Sequence, residues 1–202
     1  MLDVLWLGLV LGTGAALSVG PIFVTILHES ATRGFTAGMR VILGSATADL
    51  VLLLPALLLS QVIAAVAGAA LWVAVAGAVF MTGLAAFALR DAFRLWRGHV
   101  PETAGGWAFW KGLLSNLLNP LSWTFWLATG TPTMLAAQHA GGLAGLLLFT
   151  AVWFVTAAGL EGVLAFAVSR SGRRIGHRGQ AGLSAASAAL FLGLAAFLLV
   201  RV

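Results

Sequence analysis

The chain has no cysteine and very little charge: Asp, Glu, Lys and Arg together make up 8% of its 202 residues. Without cysteine there is no disulfide, no thiolate metal site and no thiol nucleophile, although this leaves the compartment open. A soluble domain covers its surface with roughly 25% charged residues, so this composition excludes a water-facing globule. Also missing are a glycine-rich phosphate loop, a His-Glu-x-x-His or Gly-x-Ser-x-Gly pattern, and any group of residues at metal-ligand spacing. The expectation is therefore a protein that is not an enzyme and carries no cofactor or metal. Met1-Leu2-Asp3 lacks the basic stretch that opens a secretory signal, and the apolar run that follows is longer than a signal's centre, so it reads as a retained first helix.

What is present is apolar, at 61% of the chain. At ~20 apolar residues per crossing this length holds about six membrane helices and little else. We read one transmembrane domain over residues 1–202, all-α, with a first three-helix half over 1–100 and a second over 101–202. Helix 1 covers residues 4–27 and exits through His28, Glu29, Arg33 and Arg40. Between Arg40 and Arg90 only Asp49 is charged, and the polar Ser60-Gln61 marks the reversal of a tight hairpin formed by helices 2 and 3. A basic connection with Pro101 and Gly105-Gly106 precedes helix 4, over residues 112–135. Gln138, His139 and Gly141-Gly142 form the next turn. Helix 5 then runs to residue 168, a basic loop follows, and helix 6 covers 181–200.

The net charge of +5 resembles a nucleic-acid signal until its distribution is read, because the arginines form no continuous stripe. The first, third and fifth loops hold two, four and four basic residues when Arg40 and Lys111 are counted with them, which is ten of the eleven in the chain. Cytoplasmic loops hold such an excess. Both termini are therefore expected outside, with the three basic loops in the cytoplasm, and no nucleic-acid partner.

Two apolar spans contain a proline preceded by small or polar residues: Gly20-Pro21 in helix 1 and Asn116-Leu117-Leu118-Asn119-Pro120 in helix 4. Proline removes a backbone donor and crowds the carbonyl four residues back, so each helix is expected to break, freeing the carbonyls of Leu17 and Asn116. In lipid such groups must be satisfied by protein or by a water-filled cavity. The breaks fall in the first helix of each half, and three crossings per half turn the second half upside down. This is the pattern of a 3+3 inverted repeat with a site between the halves. The competing account is that proline is simply commoner in membrane helices, as Pro55 and Pro132 illustrate.

Asp49 is placed near mid-membrane, where a carboxylate must pair, face water or stay protonated, each of which suits an ion-coupling role. Glu161 is its candidate counterpart in the second half. For Asp49 the structural alternative is interhelical hydrogen bonding, and for Glu161 it is a position near enough to the cytoplasmic end of its helix to reach water. Asn116 and Asn119, three positions apart, share a helix face and offer amide donors and acceptors to a zwitterion. Trp123 and Trp126 continue that face and either wall a pocket or lie at an interface. His28 and Glu29 read as solvated groups at the cytoplasmic end of helix 1.

These residues carry a resemblance to the lysine exporter family, the LysE and RhtB type of bacterial amino-acid exporters. It covers essentially the whole chain and rests on Gly20-Pro21, on Arg33-Gly34-x-x-x-Gly38 followed by Gly44 and Asp49, and on Gly112-x-x-x-Asn116-x-x-Asn119-Pro120. Many members carry Lys after Asn-Pro, where this chain has Leu121. The run from Asn119 to Trp126, with Gly130-Thr131-Pro132 after it, is similar to an aromatic branch of the family. The resemblance implies secondary export of amino acids or related metabolites across a bacterial inner membrane, driven by a proton or sodium gradient. Our own reading of the breaks and the intramembrane polar groups places substrate contacts at Gly20, Pro21, Asn116, Asn119, Pro120 and Trp123 and ion coupling at Asp49 and Glu161, and it admits a homodimer. A helical subunit or scaffold of a larger membrane complex is the alternative.

Overall fold

The computed structural model describes residues 2–18, 20–57, 60–99, 107–174 and 176–200, and every regular element among them is helical. In order these are α1 (Leu2–Leu17), α2 (Pro21–Arg33), α3 (Phe35–Leu57), α4 (Ser60–Trp96), α5 (Trp107–Leu117), α6 (Pro120–Phe125), a π-helical turn (Trp126–Gly130), α7 (Thr131–Arg174) and α8 (Gly176–Val200). Large apolar side chains such as Leu43, Val79, Phe93, Val155 and Val163 point outward. A surface of this kind is stable against lipid and not against water.

Both expected breaks are present. Gly20 is extended at φ −146° and ψ −172°, α2 restarts with Pro21 as its first residue, and the α1–α2 axis turns by 65°. Asn119 is extended at φ −95° and ψ 108°, and α6 restarts with Pro120. A residue before proline is driven out of the helical region, and a proline at a first position loses nothing because its missing N–H had no partner there.

Four helical stretches among the described residues are long and apolar enough to cross a membrane, and the bent α1–α2 pair makes five. One of the four, Leu121–Ser171, is 51 residues long. Straight, it would measure ~76 Å against a ~30 Å hydrocarbon core. It is not straight: Gly141 (φ −140°, ψ 16°) and Gly142 (φ 61°, ψ −153°) leave the helix. Thr150 Oγ1 then lies 3.1 Å from Met134 Sδ, sixteen residues back, where a straight helix would separate them by ~24 Å. A Cβ on Gly145 would collide with the Ala137 carbonyl. The chain thus reverses where the Gly141-Gly142 turn is expected.

Other boundaries differ from the sequence reading. Ser60 and Gln61 lie inside α4 and do not form a turn. The tight hairpin of consecutive helices is also not what packs: α3 lies along α5, and α4 along α8. Backbone contact explains the first pairing, since a Cβ on Gly44 would strike the Phe109 carbonyl and one on Gly112 would strike the Val41 carbonyl. Small residues at such crossings let membrane helices approach closely. The second pairing buries Ala78, Met81, Ala85 and Ala88 against Ala188, Phe191 and Ala195. The basic stretch after residue 168 is largely helical, because α7 continues to Arg174 and α8 begins at Gly176. Pro101 and Gly105-Gly106 lie outside the described residues.

Candidate functional site

The two breaks face one another across a cavity of about 460 Å³, within the range of small-molecule sites. Its wall is built from α1 and the start of α2, from α3, from the segment around the second break, and from the far arm of α7. Gly20, Asp49, Asn116, Asn119 and Glu161 all line it. Residues more than a hundred positions apart are thus brought into one space.

The first break is held by Thr25, whose hydroxyl donates to the Pro21 carbonyl at 2.7 Å and lies 3.3 Å from the Ser115 hydroxyl on α5. Pro21 is buried beneath the wall and is not among the lining residues. At the second break the Asn119 side chain accepts from Leu121 N–H at 3.1 Å and donates to Ser122 Oγ at 3.0 Å. This amide caps the restarted helix. Asn116 ends its helix on the other side of the break, so the two asparagines do not share a helix face, although both reach the cavity.

The carbonyl freed by Pro120 is not orphaned. Asn116 C=O accepts from Asn119 N–H at 3.1 Å, and the Leu117 carbonyl accepts from the Trp123 indole at 2.8 Å. Trp123 therefore seals the break and does not line the cavity. Pro120 contributes through the backbone, as first residue of α6.

Asp49 on α3 accepts from Trp126 Nε1 at 2.8 Å. Trp126 is 2% exposed and packs against Trp153 at 4.9 Å between rings, with Phe125 and Phe154 completing the cluster. The π-helical turn that begins at Trp126 shifts the register of the span, a local feature common at functional sites. Asn116 donates to the Ser45 carbonyl at 2.9 Å and to Ser45 Oγ at 3.1 Å, while its own Oδ1 is buried without a partner. Glu161 faces the same space without a hydrogen bond or ion pair among the described residues. Ser45 and Trp153 were not singled out in the sequence, and Trp126 only as a residue that either walls a pocket or lies at an interface. Only the aromatic spacing around Phe125-Trp126 hinted at them.

A second polar cluster corrects the reading of His28 and Glu29 as solvated. Glu29 is 1% exposed and pairs with Lys111 Nζ at 2.5 Å and Arg33 at 3.1 Å. Arg33 also reaches Asp91 at 2.6 Å, and His28 Nε2 lies 3.1 Å from the same carboxylate oxygen. The network ties α2, α4 and α5 together on the side of the basic loops. The i, i+4 spacing of Glu29 and Arg33 was the only local signal for it. Among the described residues no group of histidine and acidic side chains is placed to hold a metal ion.

A family model described as LysE type translocator matches residues 14–201, almost the whole chain, including both breaks, Asp49 and Glu161. No curated protein and no solved structure matches the chain. The protein is thus a multi-pass membrane translocator by its helices and by its sequence, and it belongs to the LysE type translocator family.

Proposed function

We propose that this chain is a secondary exporter that moves amino acids or related small metabolites out of the cytoplasm in exchange for protons or sodium ions. The observation that carries the reading is the single cavity onto which both broken helices open, with Asp49 and Glu161 on its wall. In transporters, broken helices place a binding site near the midplane, between repeats that rock against each other. An intramembrane carboxylate whose charge changes with ion binding ties that rocking to a gradient.

In this reading the chain makes six crossings with both termini outside, and the first, third and fifth loops face the cytoplasm of a bacterial inner membrane. The reversal at Gly141-Gly142 supports the count. The repeat is supported by the packing: α3 lies on α5 as the far arm of α7 lies on α1 and α2, the corresponding pair in an inverted half. A Cβ on Gly12 would meet the Trp153 carbonyl at 2.8 Å, echoing the glycine crossings of α3 and α5. Gly20, Asn116 and Asn119 contact substrate, Pro21 and Pro120 shape the breaks, and Trp123 holds the second break in place. Asp49 and Glu161 exchange the coupling ion.

The ionic network closes the cytoplasmic side. α2 runs from the first break to Arg33, and α5 runs from Lys111 towards the second, so each helix joins the site to the network. Cavity lining on α2 stops at Phe23. Opening inward then requires separating Lys111 from Glu29 and Arg33 from Asp91. A subunit serving only as a scaffold has no use for a Glu161 that faces a cavity of this size without a partner among the described residues. Efflux from proteoliposomes loaded with labelled amino acids, driven by an imposed pH or sodium gradient, tests the proposal. Efflux no faster than from protein-free liposomes, for every amino acid and every related amine tested and under both gradients, would refute it.

A further inference from the structure

The cavity is chemically one-sided. Its lining includes two carboxylates, Asp49 and Glu161, and no Lys, Arg or His among the described residues. Trp126 covers one oxygen of Asp49, and Glu161 has no partner among the described residues. Asn116, 1% exposed, reaches the same space with both amide N–H contacts directed to Ser45, which leaves Oδ1 as a further unmatched acceptor. Among the lining side chains of the described residues, the indole Nε1 of Trp153 is a buried donor without a partner, and it is a neutral N–H. Around these acceptors stand the aromatic rings of Phe23, Phe125, Trp153 and Phe154, with Phe125 and Trp153 stacked at 5.6 Å and 25°. Carboxylates backed by aromatic faces recognise cations. A ligand carboxylate in the same low-dielectric space would sit beside two like charges.

The geometry points to an organic amine without a carboxylate as the transported molecule, its ammonium held between Asp49 and Glu161. The same two carboxylates bind the coupling protons. When the ammonium enters, each protonated carboxyl releases its proton to water and a carboxylate–ammonium pair forms, so amine and proton occupy the site in turn and exchange across the membrane. This rests on the exporter reading and narrows its substrate class. Among the described side chains, charged groups on α3, α7 and the helices packed against them do not compete for the two carboxylates. His28, Glu29, Arg33 and Lys111 are bound to one another or to Asp91, and Asp3, Arg40, His139, Arg170, His177 and Arg178 are exposed.

The test compares 1,5-diaminopentane with lysine, which has the same two amines and one added carboxylate, using the full chain in lipid nanodiscs. Titration calorimetry is expected to give the diamine at least about tenfold tighter binding, roughly 1.4 kcal/mol. Binding should release protons into weakly buffered solution and weaken as pH falls. Glu161→Gln should weaken diamine binding and reduce proton release while Glu161→Asp retains both, with unchanged thermal unfolding showing that each variant is folded. Lysine binding as tightly as the diamine would overturn the inference and would place a carboxylate subsite at the start of α2. Diamine binding without proton release would overturn the shared site. In proteoliposomes, amino acids exchanged for protons while the diamine stays put would sink the inference and leave the exporter reading standing. Movement of no probe at all would end both.

Discussion

Trp126 donates its indole N–H to Asp49 at 2.8 Å, joining the helix after the second break to the carboxylate that follows the first. The two residues lie seventy-seven positions apart and come from different halves of the chain. The bond fixes one carboxylate oxygen of a residue that lines the cavity.

Replacing Trp126 with Phe keeps most of the aromatic packing and removes the donor. A buried hydrogen bond to a charged group contributes about 1.5–3 kcal/mol, so Trp126→Phe should lower gradient-driven transport roughly tenfold or more. Thermal unfolding in detergent should shift by only a few degrees. Wild-type transport in a folded Trp126→Phe protein would show that Asp49 needs no positioning.

The ionic network should behave as a coupled unit. Removing one member of a buried pair costs about 3–5 kcal/mol because the remaining charge is stranded. Glu29→Gln should therefore destabilise the protein markedly in thermal unfolding, and adding Lys111→Met should recover much of the loss. Simple additivity of the two changes would show that the pair is not coupled.

Absence of cysteine makes every introduced thiol unique. On the proposed orientation, Arg97→Cys in intact cells should resist an impermeant maleimide until the membrane is opened, whereas Leu143→Cys, exposed beside the Gly141-Gly142 reversal, should react at once. The opposite pattern would invert the topology.

The α3–α5 crossing depends on having no side chain at two positions. In Gly112→Ala the new methyl meets the Val41 carbonyl, and overpacking of this kind costs about 1–3 kcal/mol. Reduced folded yield and a lower unfolding temperature are expected, whereas Gly83→Ala, at a position with open space around it, should be silent.

Much of this was legible because membrane sequences are sparse. Pro21 and Pro120 announce broken helices wherever they stand in an apolar span, and Asp49 and Glu161 are conspicuous because so few charges surround them. Arginines counted by loop give an orientation. The pairing of α3 with α5 was not legible, since it depends on which of many glycines meets a backbone. Nor was the network: Asp91 and Lys111 reach α2 from 58 to 82 positions away, and each alone resembles a solvated loop charge. Asn119 and Trp123 stand out in an apolar span, yet their polar groups complete the break, a use that sequence spacing does not separate from ligand contact.

The central claim is that the cavity between the two breaks couples an ion gradient to export through Asp49. The most direct measurement is gradient-driven transport by Asp49→Asn in proteoliposomes, with folding verified by thermal unfolding. The account predicts that gradient-driven transport is lost in a folded protein. Undiminished gradient-driven transport by that variant would contradict it.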